Sequence, residues 1–113
     1  MGTLKEPLWI SLNSLGINEK AYSKELALKV ISDLKEKNLT ILGGDVYLFK
    51  KNKTIITYDS WYFEPQQNKD KRIVENSYLI AKQYISNYPT TKGQPYFSVV
   101  ISPTESECID PEI

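Results

Sequence analysis

ILGGDVYLFKKNKTIITYDSWY, residues 41–62, is the stretch whose reading decides the fold. It holds the densest run of β-formers in the chain, its only paired glycines, one of its two tryptophans, and two aspartates in apolar company. Residues alternate with a period of two on either side of Asn52, the mark of half-buried strands. Asn52-Lys53 serves as a two-residue turn, because Asn tolerates the positive φ of a type I′ hairpin, although Lys is a poor second residue. That turn sets Lys51 opposite Thr54, Phe49 opposite Ile56, Tyr47 opposite Tyr58, and Asp45 opposite Ser60. One face then carries Tyr47, Phe49, Ile56 and Tyr58, an apolar set suited to lie under helices. The other carries Val46, Leu48, Ile55, Thr57 and Asp59, and is mixed. Register matters here, since a slip of one residue exchanges the faces of a strand. Thr40–Leu42 reads as a short strand interrupted by Gly43-Gly44, and paired glycines inside a strand mark a bulge or a close backbone approach.

Working outward, the N-terminal flank reads as helical. Met1–Glu6 is a loose end, and Pro7 fits the first turn of a short helix, where its missing N–H costs nothing. Leu8, Trp9 and Leu12 then share a face, with Trp9 in the core or as a lid, and Gly16 ends the element. Asn18 or Ser23 caps a longer helix whose stripe is Tyr22, Leu26, Val30 and Leu34, widened by Ala27 and Ile31. Glu19, Lys24, Lys29, Asp33, Lys35, Glu36 and Lys37 mostly fall on the opposite, solvated side, and the lysines near its end suit the helix dipole. Asn38 stops it.

The C-terminal flank begins with a polar connection from Glu64 to Lys69. Asp70 caps a second helix with the stripe Ile73, Ser77, Ile80, Ala81, Tyr84 and Tyr88, which Pro89 ends. Tyr96–Ile101 is apolar on both faces and reads as one central strand, with Pro103 closing it. The order of elements predicts an α+β fold: a small, mostly antiparallel sheet with two main helices packed on one face. Residues 1–103 form a single domain, and residues 104–113 form an acidic, flexible tail.

Composition narrows the chemistry. A 113-residue chain buries roughly two-thirds of its unfolded surface and needs no metal or disulfide staple. Lysines plus arginines number 14 and aspartates plus glutamates 14, so no basic stripe points to nucleic acid. The single cysteine, Cys108, allows no internal disulfide. The start lacks a signal peptide's pattern and no segment has the length of a membrane span, which predicts a cytoplasmic protein. With no histidine in the chain, Ser-His-Asp and Cys-His systems and His-bearing zinc sites are excluded. Gly43-Gly44 has neither phosphate-cradling spacing. Asp45 and Asp59 fall near one end of the hairpin but on opposite faces; such carboxylates either bond backbone N–H groups in turns or work as an acid–base pair. Trp61 is either a buried anchor or, if exposed beside Asp59, an interface hot spot, and the sequence does not choose. Eight tyrosines suit an amphipathic core or a binding surface.

Leu42-Gly43-Gly44-Asp45-Val46-Tyr47, followed after a hairpin-length gap by Tyr58-Asp59-Ser60-Trp61-Tyr62, resembles the immunity protein 40 family of bacterial polymorphic toxin systems. The flanks fit: Glu25-Leu26-Ala27 ahead of the motif, then Asn76-Ser77 and Tyr84-Ile85-Ser86-Asn87-Tyr88 behind it. The resemblance runs over about residues 8–101. Ser60 stands where the family pattern suggests Asn, Asn52-Lys53 replaces an Asn-Gly turn, and the acidic tail is outside the pattern. What the resemblance implies is a non-enzymatic protein without cofactor or metal, which binds and neutralises a cognate toxin domain by stoichiometric association in the cytoplasm, with no nucleic-acid or membrane partner. Its motif residues here are Gly43, Gly44, Asp45, Tyr47, Tyr58, Asp59 and Trp61. Asp45, Asp59, Trp61 and Tyr62 are the candidate partner-binding residues, because carboxylates beside aromatics suit a cationic partner. The alternative is a small regulatory or ligand-binding module with the Gly43-Gly44 backbone lining its pocket. The cognate toxin, its activity and the oligomeric state are not legible in the chain.

Overall fold

The computed structural model describes residues 7–65 and 72–102. The expectations for Met1–Glu6, for the Asp70 cap and most of the connection before it, and for the segment from Pro103 through the acidic tail lie outside the described residues. Elements follow in the order β1 (Trp9–Ser11), a 3₁₀ turn (Asn13–Leu15), β2 (Lys20–Ser23), α1 (Lys24–Glu36), β3 (Ile41–Lys50), β4 (Lys53–Tyr62), α2 (Ile73–Asn87), β5 (Pro95–Phe97) and β6 (Val100–Ile101). The strands make one six-stranded antiparallel sheet in the order β1-β2-β5-β3-β4, with β6 also pairing β3. Both helices pack on one face, so the fold is α+β as the order of elements predicts.

The N-terminal flank departs from its reading. No helix starts at Pro7; Trp9–Ser11 is a strand, paired with β2 through Trp9↔Tyr22 and Ile10↔Ala21. Leu8, Trp9 and Leu12 share spacing with a helical face, but a three-residue stretch that buries Ile10 and exposes Trp9 has the period of a strand. Trp9 is 46% exposed, with the Lys20 ammonium 4.3 Å from its ring centroid, so it is neither core nor lid. Gly16 does end the element, in the left-handed conformation at φ 78°. Tyr22 belongs to β2, not to the helix, and α1 starts one residue after its cap: Leu26 N–H donates to Ser23 Oγ at 3.3 Å. Asn38, at φ 63°, stops α1, and its N–H donates to the Lys35 carbonyl.

Two buried clusters occupy the two sides of the sheet. Ala27 and Ile31 of α1 and Ala81 and Ile85 of α2 meet Ile41, Val46, Trp61 and Phe97 of the sheet. On the opposite side Ile10, Leu12, Ala21, Tyr47 and Tyr96 pack together, covered by Leu15 and Ile17 from the β1–β2 connection. The helices therefore take the Val46 side, and the expectation that Tyr47, Phe49, Ile56 and Tyr58 face them is wrong. The reason is that β3 is buried on both faces, so alternating apolarity could not say which face lies under helices. Ser77, fully buried, ties α2 to the sheet: its Oγ accepts from Ile41 N–H at 3.0 Å and donates to the Val74 carbonyl at 2.9 Å.

The predicted single strand Tyr96–Ile101 is two short strands, both paired with β3. Ser98 lies between them. Its N–H donates to the Asp45 carbonyl at 3.0 Å and its Oγ accepts from Asp45 N–H at 3.2 Å. β5 is central, fully buried between β2 and β3. Lys24, read as solvated, is half-buried: its ammonium donates to the carbonyls of Ser86 at 3.2 Å and Tyr88 at 2.8 Å. That contact closes the C-terminal end of α2, where the helix dipole favours a cation.

Candidate partner-binding surface

The site is built on an irregularity in the hairpin. Its loop is Lys51-Asn52, both with positive φ (49° and 65°), and not Asn52-Lys53. This alignment puts apolar against apolar, pairing Leu48 with Ile55 and Tyr47 with Ile56. Further out, Asp45 pairs with Ser60 as predicted. Between those points Thr57, Tyr58 and Asp59 of β4 stand opposite Val46 alone, a β-bulge. The bulge is held from within: Thr57 Oγ1 donates to the Val46 carbonyl at 2.7 Å and accepts from Asp59 N–H at 3.0 Å. Tyr58 takes the strained conformation, φ 68°, with its side chain 89% exposed. A bulge of this type turns side chains that a regular strand would aim elsewhere, and here it swings Asp59 toward α2.

Beyond the bulge, Trp61 pairs with Gly44 and lays its indole over it. A Cβ on Gly44 would lie 2.0 Å from the Ser98 carbonyl oxygen and 2.5 Å from Trp61 Cη2; one on Gly43 would lie 2.2 Å from the Trp61 carbonyl oxygen. The glycine pair is thus a close approach of backbone and ring, the first reading given to it. The Cβ side of Gly44 is filled by the protein's own tryptophan, while the glycine backbone still borders a shallow depression with Asp45, Ser60, Trp61 and Tyr62, so a pocket beside the glycines stays open as a second reading.

Trp61 is only 7% exposed, and its indole N–H has no hydrogen-bond partner among the described residues. Its ring begins an aromatic series: it stacks on Tyr84 at 5.1 Å and 30°, Tyr84 meets Tyr88 at 5.9 Å, and Tyr88 meets Phe97 edge-on at 5.7 Å. The series runs from the sheet core to an open cleft between β4 and α2, lined by Asp59, Trp61, Tyr84, Tyr88, Ile80 and Asn87 among others. Tyr88 Oη donates to Asp59 Oδ2 at 2.6 Å. Burial raises the Tyr88 phenol above its usual value near 10, and the bond to Asp59 raises it further, because a phenolate could not donate. Burial also raises Tyr84, with the negative charge of Asp59 next in weight.

The other candidates fall around this cleft. Asp45 is exposed; strand alternation from Gly44 and Val46 turns it to the Tyr47 side, away from the helices. Asp45 and Asp59 therefore lie on opposite sides of the sheet and make no acid–base pair. Tyr62 is 72% exposed at the end of β4. Between them Trp61 is a wall, not a free contact. Tyr84, Tyr88 and Thr57 were not singled out for the site. The first two were assigned to the buried stripe of α2, and only the pairing across the bulge shows them meeting Asp59. Tyr58, Ile55 and Ile56 are further exposed apolar positions on β4. Among the described residues no three Cys, Asp or Glu side chains gather as a metal-binding group, and no helix is long and apolar enough to cross a membrane.

Fold and surface together define a small α+β domain with two exposed aromatics, Tyr58 and Tyr62, on the edge strand β4, and with the Tyr88–Asp59 bond joining that strand to α2. The sequence profile of the family described as Immunity protein 40 matches residues 11–101, most of the chain. The chain belongs to the immunity protein 40 family. No curated protein and no solved structure matches it.

Proposed function

We propose that this protein protects a bacterial cell by binding and neutralising a cognate domain of a polymorphic toxin, one molecule to one, without catalysis or cofactor and within the cytoplasm. Family membership over residues 11–101 carries the reading. The proposed binding surface runs along the open edge of β4, which Asp59 borders from the helix side and Asp45 from the opposite side, with Tyr62 at the strand's end and Trp61 as its backing. The bulge presents an exposed tyrosine on the open edge and turns Asp59 toward α2. Specific interfaces bury about 1,200–2,000 Å² in total, and exposed residues of β4 and of α2, among them Tyr58, Tyr62, Leu79 and Ile80, are available to contribute. The four raised tyrosines stay neutral at physiological pH, and Asp59 is the charged residue lining the cleft between β4 and α2, so a cationic group of the partner complements it there.

Co-expression with a cognate toxin domain tests the function. Protection should follow the ratio of the two proteins and be independent of time, as expected for tight, slowly dissociating association. Complete, progressive toxin inactivation by a sub-stoichiometric amount would refute immunity by binding. The face is tested separately by Asp45→Asn with Asp59→Asn: a folded double variant with unchanged toxin affinity would move the binding surface elsewhere.

A further inference from the structure

The cleft between β4 and α2 combines features that converge on one ligand chemistry. Its one charged wall is Asp59, and none of its lining residues is Lys or Arg. Tyr88 holds Oδ2 of that carboxylate, and Thr57 fixes its backbone, so Asp59 stands oriented, with no bond to Oδ1 among the described residues. The rings of Tyr84 and Tyr88 lie beside it, Gln83 and Asn87 add amide oxygens, and Ile80 gives an apolar wall. The C-terminal end of α2, the negative pole of its dipole, opens on the same place and already holds one ammonium, that of Lys24, on its carbonyls. Several of the described lysines are engaged elsewhere. Lys82 and Lys35 sit over Tyr78. Lys92 lines the neighbouring groove on the other side of Asp59 and makes no ion pair; Lys29–Asp33 is the one ion pair among the described residues. A carboxylate, π faces and an apolar wall match a side chain with a hydrocarbon stem and a cationic head.

We infer that this cleft is a socket for one basic side chain, an arginine above all, presented by the partner protein: the guanidinium pairs with Asp59 and stacks on Tyr84 or Tyr88 while its stem lies along Ile80. Arginine is favoured over lysine because a planar guanidinium can bond a carboxylate and stack at once. For its occupant the inference rests on the immunity reading; the socket itself can be tested without the toxin.

N-acetyl-L-arginine methylamide is the probe, and the isosteric, neutral citrulline amide is its control. Titration to roughly 50 mM spans the weak affinity of one ion pair with one cation–π contact. The Trp61 indole N–H signal, told from that of Trp9 by Trp9→Phe, and the Tyr84 ring signals should move saturably with arginine and stay still with citrulline. Asp59→Asn keeps an oxygen to accept the Tyr88 bond, so it should fold, as a melting curve will show, and weaken the probe at least fivefold. Asp33→Asn, on α1, should change nothing. No saturable shift, equal shifts with citrulline, or unchanged affinity in folded Asp59→Asn would each overturn the socket. Spermidine binding more than a hundredfold tighter than the arginine amide would overturn its assignment to a partner's side chain. The two readings fail apart. Arginine binding without protection in co-expression removes the immunity reading alone, whereas full protection by wild type without an arginine response removes the socket alone.

Discussion

β3 and β4 are the two arms of one hairpin, ten residues each, similar in composition and opposite in fate. β3 has partners on both edges and cover on both faces; among the described residues β4 pairs with β3 alone. Val46 and Tyr47 on β3 are buried on opposite sides of the sheet, while Ile55, Ile56, Tyr58 and Tyr62 on β4 stay exposed. Position in the sheet, not β-propensity, separates them. An open edge of this length invites unwanted pairing, and proteins blunt such edges with bulges and charges. Here the bulge blunts the edge and also turns Asp59 toward α2. Trp61 is the exception that links the arms: it lies on β4 but belongs to the core that β3 organises.

The largest effects should follow from breaking that link. Trp61→Ala removes a buried ring stacked on Tyr84 and should destabilise by about 3–5 kcal/mol in urea unfolding. Gly44→Ala should cost at least about 3 kcal/mol, because its methyl meets a carbonyl oxygen that the Ser98–Asp45 hydrogen bonds hold in place. The two changes share a contact, so the double variant should lose less than their sum. Additive losses would mean that Trp61 and Gly44 act independently, and the link between the arms would be gone.

The sequence made the arms legible and their environments not. Alternation about Asn52 located both strands, and Ser23, Asn38 and Pro89 bounded the helices. Which face of β3 lay under helices was hidden, since Val46 and Tyr47 are both apolar and both buried. The bulge was hidden as well: the residue with positive φ is Tyr58, not a Gly or Asn, and a side-chain bond from Thr57 to a carbonyl across the hairpin holds it. Asp59, Trp61 and Tyr62 were put forward by residue type and Asp45 by its place beside the glycines. Tyr84 and Tyr88 were missed because their partner is 29 residues or nearly so away, a distance that periodicity cannot see. Short strands of two to four residues such as β1, β2 and β6 offer too few alternations to declare themselves.

A stabilising change sharpens the comparison next. Tyr58 is exposed and left-handed, a conformation that costs an L-residue roughly 1–2 kcal/mol and glycine little. Tyr58→Gly should therefore raise stability by up to about 1 kcal/mol in the same assay, the remainder being lost to chain entropy. The same change on β3, Tyr47→Gly, should unfold the protein. A destabilised Tyr58→Gly variant would show that the tyrosine packs on something and that β4 is less free than its exposure says.

Alkaline titration separates the arms by a different property. Burial raises the Tyr47 phenol, with the Asp45 charge second, and Tyr84 and Tyr88 are raised the same way. A phenol that holds its proton more tightly when folded contributes stability that is complete below the unfolded value near pH 10 and disappears as pH climbs through the folded value. The urea midpoint should thus hold steady up to about pH 9.5 and fall beyond it. Tyr47→Phe should make that fall shallower. If the fall is as steep in a folded Tyr47→Phe protein, the β3 tyrosine is not what alkali attacks.

The smallest expected effect on stability belongs to Tyr62, and it decides whether β4 is spare for function. Its hydroxyl is raised first through a hydrogen bond with Glu64 and then by the charge of that carboxylate, with burial the smallest cause, so the contact is local to the end of the strand. The ring is mostly in water and belongs to neither buried cluster. Tyr62→Ser removes the ring and keeps a hydroxyl, and a surface substitution of this kind should move Tm by less than about 3 °C. On the partner the expectation reverses, because exposed aromatics are where interface energy concentrates. The same variant should lose at least about tenfold in affinity for the toxin domain, measured at one salt concentration so that the Asp59 contribution stays constant. Stability and affinity would then divide along the hairpin: β3 residues and Trp61 hold the fold, and the outward residues of β4 hold the partner. A Tyr62→Ser protein that melts early and binds as before would reverse that division and place the partner on another surface.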